Sequence, residues 1–256
     1  MSINTIVNVS GLGKTYLLNK QKNRVLKNVG FKIQAGEIVA IMGPSGSGKS
    51  TLLYAVSGMD EATEGKVSFL GKDISKLSKK ESANVRLRDM GFIFQQMYML
   101  KNLTVLDNIV LPAYQIKEND RDEKNEYAKE LMEKLGISKI AGSYISEISG
   151  GELQRACICR SLINKPTIIF ADEPTGSLNK QSSIDVMDEI LKINKEGTAV
   201  LLVTHDMRVA AKSDRVLYLT DGSIYGEHVL GKYAGGEEEL KKREKKLGDW
   251  LLDAGW

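Results

Sequence analysis

The sequence is poor in cysteine and histidine, with two residues of each type among 256. The two cysteines, Cys157 and Cys159, lie two positions apart, which makes a disulfide between them geometrically implausible. They also fit no zinc-ligand spacing. We therefore expect both thiols to be small apolar groups buried on a helix, and we expect no histidine-rich metal site.

The sequence also lacks a long apolar run and a large excess of either charge. No segment approaches the roughly 18 apolar residues that a membrane-spanning helix needs, and 199–203 (AVLLV) is only long enough for a strand. The first residues show no basic stretch followed by an apolar one, which predicts that there is no signal peptide. The net charge of +3 argues against a strongly basic nucleic-acid binder and an acidic disordered chain. These features predict a soluble, cytoplasmic protein.

Short apolar strands alternate with helices along much of the chain. Strands are predicted at 38–42 (IVAIM), 167–171 (TIIFA) and 199–205 (AVLLVTH), and helices at 151–164 and 180–194. Continuous apolar strands that alternate with helices indicate a mostly parallel sheet covered on both faces. The predicted fold class is therefore α/β.

Two segments depart from this alternation. The stretch 104–146 has helical periodicity and predicts an all-helical insertion, with Gly136 ending one of its helices. The last 20 residues form a separate, highly charged element in which three leucines fall on one helical face: Leu240, Leu247 and Leu251. We expect a helical C-terminal tail.

A glycine-rich segment, GPSGSGKS at 43–50, follows a predicted strand, precedes a predicted helix and matches the spacing G-x4-G-K-[S/T]. Its glycines let backbone N–H groups turn toward an anion, and the helix N-terminus adds positive charge. Lys49 is expected to reach the β- and γ-phosphates, and the Ser50 hydroxyl to hold Mg²⁺. The alternative, a flexible linker, does not explain the position between strand and helix. The predicted phosphate-binding residues are Gly43, Pro44, Ser45, Gly46, Ser47, Gly48, Lys49, Ser50 and Thr51.

The strand at 167–171 leads into two adjacent carboxylates, Asp172 and Glu173. Successive side chains of a strand point in different directions, so the two groups can serve different functions. Asp172 is expected to hold Mg²⁺, and Glu173 to act as general base for a water that attacks the γ-phosphate. In isolation the pair would also fit a solvated strand end.

A second helix start, Ser149-Gly150-Gly151-Glu152, has the composition of an anion-receiving N-terminus. A capped helix without a ligand is the alternative. The chain has two such helix starts but only one lysine loop. One arrangement that uses both is a head-to-tail dimer, in which the phosphates held by one copy meet Ser-Gly-Gly of the other.

Together the segments GPSGSGKST, ISGGE, IIFADEP and VTHD resemble the ATP-binding subunit of an ABC transporter, over about residues 3–230. The resemblance implies a RecA-like P-loop core with a mostly parallel sheet, an antiparallel β edge subdomain and a helical subdomain inserted at about 96–164. It also implies a nucleotide-binding domain over 1–230, followed by a helical tail over 231–256.

The family resemblance also implies roles for single residues. Tyr16 would stack on adenine, although a tyrosine at a strand edge is the alternative. Gln95 would contact Mg²⁺ and the attacking water and sense the membrane partner, and His205 would contact the γ-phosphate. Ser149, Gly150, Gly151 and Glu152 would form the signature motif, in which Ile148 and Glu152 replace the commonest Leu and Gln. Asn179 stands where the family usually has Asp, which places any salt bridge at that position in doubt.

Within the family, the motifs resemble subunits that serve the MacB, lipoprotein-release and bacitracin-resistance transporters. This implies a hydrolase of ATP that uses Mg²⁺, forms a homodimer and docks on an integral membrane permease at the inner face of the cell membrane. We expect export of antimicrobial peptides, with lipoprotein release as the alternative.

Two other functions are disfavoured. A soluble ABC ATPase that acts on ribosomes or DNA ends is disfavoured by the single cassette, and a module that binds ATP without hydrolysis is disfavoured by Glu173 and His205. Because every motif precedes Gly235, the tail is predicted to be dispensable for hydrolysis.

Overall fold

The computed structural model describes residues 5–18, 21–118, 120–176 and 178–256. The strands are β1 (Thr5–Leu18), β2 (Gln21–Gln34), β3 (Ile38–Met42), β4 (Glu64–Phe69), β5 (Lys72–Asp73), β6 (Met90–Ile93), β7 (Ile168–Asp172), β8 (Ala199–Val203), β9 (Arg215–Thr220) and β10 (Ser223–Val229). The helices are α1 (Lys49–Val56), α2 (Lys79–Asp89), α3 (Val105–Tyr114), α4 (Arg121–Lys134), α5 (Gly150–Leu162), α6 (Lys180–Lys195), α7 (Met207–Ala210) and α8 (Glu237–Asp253). Within these ranges no helix is long and apolar enough to span a membrane.

The chain divides into two compact units. The first unit combines the chain up to Ser82 with Ala199–Trp256, and the second is the continuous segment Ala83–Thr198. The first unit is therefore built from two stretches that are far apart in sequence.

The first unit contains an antiparallel sheet with the strand order β2-β1-β4-β5. Val7, Val9 and Leu12 of β1 are at most 3% exposed and face Ile33, Phe31 and Val29 of β2. The register shifts between Val9 and Leu12, where Gly11 has φ of 61°. The antiparallel β subdomain is confirmed, but β1 itself is not predicted by sequence pattern because glycines interrupt its alternation.

The other strands of the first unit lie in the order β10-β9-β3-β8. β3 runs parallel to both β8 and β9, and β10 pairs antiparallel with β9. Every residue of β3 and β8 is buried, as expected for continuous apolar strands covered on both faces. The mostly parallel sheet is confirmed, and the carboxyl ends of β3 and β8 meet at one edge of it.

Helix α8 packs on the first unit through its apolar face. Leu240, Leu247 and Leu251 are at most 2% exposed, which confirms the predicted helical face. The Trp250 ring stacks on His228 of β10, with 5.2 Å between ring centroids. The tail therefore covers a surface of its own chain.

The second unit contains the parallel pair β6 and β7, and α5 packs against β6 and against α3 and α4. Helix α4 ends as predicted, because Gly136 follows it with φ of 67°. Cys157 and Cys159 are fully buried on α5, also as predicted. Burial raises the pKa of Cys157 to about 11 and that of Cys159 to about 12, so neither thiol ionises readily.

Candidate active site

The glycine-rich loop connects β3 to α1, as the sequence predicts, and lies entirely in the first unit. Gly48 directly precedes α1 with φ of 100°, a conformation that favours glycine. At Gly43, a Cβ atom would lie only 2.1 Å from the backbone oxygen of Leu219. The path of the loop therefore depends on glycine at these two positions.

The loop holds a buried hydroxyl group that has no hydrogen-bond partner among the residues that the structure describes. Ser47 is 5% exposed, and its Oγ is unpaired within the described residues. The Lys49 Nζ donates to the backbone oxygens of Gly43 at 2.9 Å and Pro44 at 3.0 Å. Unpaired buried polar groups are uncommon, and a helix N-terminus attracts anions. These groups fit an anion that would contact both the Ser47 hydroxyl and the Lys49 ammonium.

Tyr16 lies near the end of β1, beside the first turn of α1. Its hydroxyl donates to Asp60 Oδ2 at 2.5 Å and is hydrogen-bonded to the Thr51 side chain. The Lys14 Nζ sits 4.7 Å from the Tyr16 ring centroid and pairs with Asp60. Burial, and then the Asp60 carboxylate, raise the pKa of Tyr16, so the phenol keeps its proton. The ring is thus fixed next to the phosphate loop and its helix.

His205 lies in the loop between β8 and α7, and its side chain is exposed. The predicted strand at 199–205 is two residues too long, because β8 ends at Val203. The Thr204 amide still donates to the backbone oxygen of Ile41 on β3, at 3.2 Å. The first unit therefore brings the phosphate loop and the His205 segment to the same edge of the sheet.

The acidic pair stands at the end of β7 in the second unit. Asp172 is the last residue of the strand and is 6% exposed, and Glu173 follows with φ of 48°. Left-handed backbone at a residue other than glycine costs on the order of 1–3 kcal/mol and is found preferentially at functional sites. Gln154 of α5, 1% exposed, donates from Nε2 to the Pro174 oxygen at 2.8 Å and holds the turn.

Gln95 reaches the same turn from the neighbouring strand. Ile93 of β6 pairs with Ala171 of β7, so Gln95 leaves the sheet beside the acidic pair. A Cβ atom at Gly176 would lie 3.3 Å from Gln95 Nε2 and 3.4 Å from Glu173 Cβ. The second unit therefore brings Asp172, Glu173 and Gln95 together.

Sequence reasoning missed two side chains that hold these loops in place, Gln154 and Arg160. The Arg160 guanidinium donates to the backbone oxygens of Met97 at 2.5 Å and Tyr98 at 2.7 Å, two residues with positive φ just after Gln95. An arginine inside the apolar run ACICRSL is a signal that could have identified Arg160. No local signal marks Gln154, because its partner lies 20 residues away.

Ser149 caps α5 and Glu152 completes a capping box. The Ser149 hydroxyl donates to Glu152 Oε2 at 2.7 Å, and the Ser149 amide donates to the same oxygen at 2.9 Å. These hydrogen bonds lower the pKa of Glu152. Gly150 has open space around it, whereas a Cβ atom at Gly151 would lie 3.3 Å from Ser182 Oγ. The exposed helix start is therefore formed as predicted, and Glu152 stabilises it where a glutamine is commonest.

Asn179 also acts as an N-cap, for α6. Its Oδ1 accepts a hydrogen bond from the Ser182 amide at 2.9 Å. Asparagine and aspartate are both strong N-caps, so the capping function tolerates the loss of charge.

The oxygen donors predicted for Mg²⁺ are divided between the two units, with Ser50 on α1 in the first and Gln95 and Asp172 in the second. Hydroxyl, amide and carboxylate oxygens are the hard ligands that Mg²⁺ prefers, and this ion is commonly held by one or two carboxylates plus substrate phosphates. In the described parts of the chain, no group of three or more histidine, cysteine or acidic residues could hold a metal ion. Each unit thus offers oxygen atoms of the kind that Mg²⁺ accepts beside a phosphate ligand.

The chain is similar to proteins of one family. Residues 26–176 match the family described as ABC transporter. The chain is 44% identical over 217 residues to the lipoprotein-releasing system ATP-binding protein LolD of Wigglesworthia glossinidia brevipalpis, which spans 84% of this chain and 94% of that protein. It is 40% identical over 221 residues to the bacitracin export ATP-binding protein BceA of Halalkalibacterium halodurans, with coverage of 86% and 87%.

The fold is similar to a solved structure of the ATP-binding cassette MJ0796, described as a dimer in a post-hydrolysis state bound to ADP and Pi. The TM-score is 0.83 and the identity is 35%, and the match covers 89% of this chain and 100% of that chain.

Proposed function

The chain belongs to the ABC transporter family and is an ATP-hydrolysing cassette, and on that premise we propose that it powers antimicrobial-peptide export by a separate membrane permease. Nucleotide binding is supported by the geometry of the phosphate loop. The buried Ser47 hydroxyl has no partner in the described chain, and the Lys49 ammonium donates to two carbonyl oxygens of the loop.

We propose a nucleotide-binding domain over 1–230 with its helical subdomain at about 96–164, and a helical tail over 231–256.

ATP binding is proposed to use groups of the first unit. The loop amides and the N-terminus of α1 bind the phosphates, and Lys49 exchanges its contacts with Gly43 and Pro44 for the β- and γ-phosphate oxygens. Tyr16, fixed by Asp60 and Thr51, stacks on adenine.

Hydrolysis is proposed to use three further side chains. Glu173 accepts the proton of the attacking water, Gln95 orients that water, and His205 donates to the γ-phosphate. The rate enhancement comes from positioning and charge neutralisation, since phosphoryl transfer requires little covalent help from the protein. Ser50, Gln95 and Asp172 would hold Mg²⁺, which neutralises charge on the phosphate oxygens when it is bound.

We further propose that two copies share each ATP. The start of α5 presents Ser149, Gly150 and Gly151, with Gly150 in open space, and an exposed helix N-terminus suits an anion. The dimeric description of the similar MJ0796 cassette supports this arrangement. In it, the helix start of one copy covers the nucleotide bound by the loop of the other.

A permease is proposed to dock on the apolar cluster after Gln95, formed by Tyr98, Leu100 and Tyr144. These side chains are 59%, 50% and 47% exposed. Asn108 joins the cluster's segments, because it bonds to the backbone of Leu100 and of Thr104, and Thr104 pairs with Tyr144. Contiguous exposed apolar groups mark interaction sites. Tyr98 follows Gln95 by three residues, so docking at the cytoplasmic face of the membrane would act on the segment that carries Gln95.

The cargo is proposed from the relatives. The bacitracin export protein BceA supports a peptide, and the lipoprotein-releasing protein LolD, at 44% identity, supports lipoprotein release as the alternative. Co-expression of this chain with a candidate partner permease separates the two alternatives. Raised bacitracin resistance supports peptide export, whereas restored release of lipoproteins in a deficient strain supports the alternative.

The ATPase assignment is tested by Lys49→Ala in the full chain. We expect loss of tight MgATP binding and of hydrolysis, because the phosphate oxygens lose a point-charge partner. Lys72→Ala, at an exposed lysine of β5, is the matched control and should retain both. Hydrolysis near the wild-type rate in Lys49→Ala would contradict the assignment.

A further inference from the structure

Helix α8 contacts α7, the short helix that begins two residues after His205. The Arg208 guanidinium of α7 donates to Glu237 Oε2 at 2.6 Å and reaches Glu244 Oε1 at 3.5 Å. A Cβ atom at Gly248 would lie 3.3 Å from the Met207 Sδ, so the two helices touch there as well. The C-terminal tail is therefore attached to the segment that carries His205.

Arg243 of α8 binds the backbone directly after α7. Its Nε donates to the Ala211 oxygen at 2.6 Å, and its Nη2 donates to the Ser213 oxygen at 2.5 Å. The same guanidinium donates to Leu230 and Gly231, both at 3.0 Å, although the residue is only 6% exposed. The final carbonyls of a helix need partners from outside it, and the planar fork of arginine supplies several at once. Arg243 thus links the end of α7 to the chain that enters α8.

The position of α7 fixes the position of His205. Asp206 caps α7, since its carboxylate accepts from the Arg208 amide at 2.7 Å and the Val209 amide at 3.2 Å. The Asp206 amide donates to Thr204 Oγ1 at 3.0 Å. His205 stands between these two anchored residues, so a displacement of α7 moves its backbone.

We propose that α8 is a positioning element for His205, which acts through Arg243 and α7 and thereby sets the rate of ATP hydrolysis. The inference rests on the proposed role of His205 at the γ-phosphate. It opposes the expectation that the tail is dispensable, which relied on the absence of motifs after Gly235, and the truncation described below decides between the two. The tail carries no motif, but it holds the segment that does.

The chain offers a direct spectroscopic test, because it has only two histidines. His228 stacks on Trp250 and reports whether α8 is docked, and His205 reports whether undocking reaches the active site. We would record histidine side-chain resonances of the labelled full chain by NMR. Arg243→Met should shift the signals of both histidines, whereas its neighbour Lys242→Met, at an exposed lysine of α8, should shift neither. A shift of His228 without a shift of His205 would overturn the inference.

Kinetics provide the second readout. A residue misplaced by about 1 Å can cost up to ~10²-fold in rate, and we expect Arg243→Met to lower kcat about tenfold. ATP affinity should stay within about twofold, because the phosphate loop is untouched. Removal of the residues after Gly235 should have the same effect, and Arg243→Lys, which lacks the planar fork, should restore only part of the rate. Wild-type kcat in Arg243→Met and in the truncated chain would overturn the inference.

Charge exchange keeps the test valid if Arg243→Met fails to fold. Arg208→Glu should lower kcat, and adding Glu237→Arg and Glu244→Arg should restore it. A loss of kcat without recovery would count against positioning through these contacts.

His205→Ala separates this inference from the proposed function. If that variant hydrolyses ATP at the wild-type rate, the role of His205 fails regardless of how α8 behaves.

Discussion

The phosphate loop of the first unit and the turn after β7 in the second unit are held in shape by different physical means. In the first unit the phosphate loop is shaped by its own glycines, because Gly48 takes a left-handed conformation and Gly43 has no room for a Cβ atom. In the second unit the segments that carry Glu173 and Gln95 are held by distant side chains, because Gln154 bonds to Pro174 and Arg160 bonds to the turn after Gln95. Nucleotide binding and hydrolysis should therefore be separable by mutation.

The largest effect on hydrolysis is expected at Glu173, where a substitution should separate hydrolysis from ATP binding most clearly. Glu173→Gln removes the general base and leaves Asp172 to hold Mg²⁺, so hydrolysis should fall by about 10²–10⁴-fold while ATP still binds. Steady-state ATPase assays and ATP titration by calorimetry measure the two properties. Glu130→Gln, at an exposed position of α4, is the control. An equal loss of affinity and rate would show that the second unit also governs binding.

A smaller effect is expected at Gln154, which donates a hydrogen bond to the Pro174 oxygen in the turn after Glu173. Gln154→Leu should reduce kcat about tenfold, because the Glu173 carboxylate would no longer be correctly positioned to accept the proton of the attacking water. The KM for ATP should hardly change. The exposed Gln181→Leu serves as control. If Gln154→Leu lowered stability without any change in kcat, Gln154 would be purely structural.

Tyr16 tests the other side of the comparison, because it lies in the first unit. Tyr16→Ala should weaken ATP binding by roughly 1–3 kcal/mol, the range of base–aromatic stacking, with little change of kcat at saturating ATP. Tyr16→Phe keeps the ring but loses the bonds to Asp60 and Thr51, so its loss should be smaller. Equal losses in both variants would assign the effect to the hydroxyl group.

The smallest effect is expected at His228, which lies on β10 outside the proposed nucleotide site. Burial, and then Lys246, lower its pKa below the usual 6.5. The neutral imidazole is therefore the form that favours the docked helix, and docking should weaken as the pH falls through this lowered pKa. NMR titration of His228 should show a higher pKa once the residues after Gly235 are removed. An unchanged pKa would mean that α8 does not cover this residue.

The sequence predicts the parts of the site that depend on local chemistry. The phosphate loop, the acidic pair and the capped start of α5 are each specified by neighbouring residues, and each forms where it is predicted. The strand β1 is not predicted from the sequence, because Gly11 and Gly13 interrupt its alternation of apolar and polar residues. Its extended conformation depends on pairing with β2, which is a contact between separate segments.

The contacts that hold the site together cannot be derived from such patterns. Arg243 bonds to carbonyls 30 and 32 residues away, and only the folded chain brings them together. Motifs therefore identify the reacting groups, whereas the structure identifies what positions them. The tail illustrates the difference, because it carries no motif and yet contacts the segment after His205.

The central claim is that two copies of the chain share each ATP, and Glu173→Gln tests it most directly. Light scattering after size-exclusion chromatography should give twice the 28.3 kDa mass of one chain when MgATP is saturating. Without MgATP it should give the mass of one chain. Adding Ser149→Glu should return the protein to a monomer, because its charge would face the γ-phosphate, whereas adding Ser146→Glu should not. A monomer at saturating MgATP, or a dimer indifferent to Ser149→Glu, would contradict the shared site.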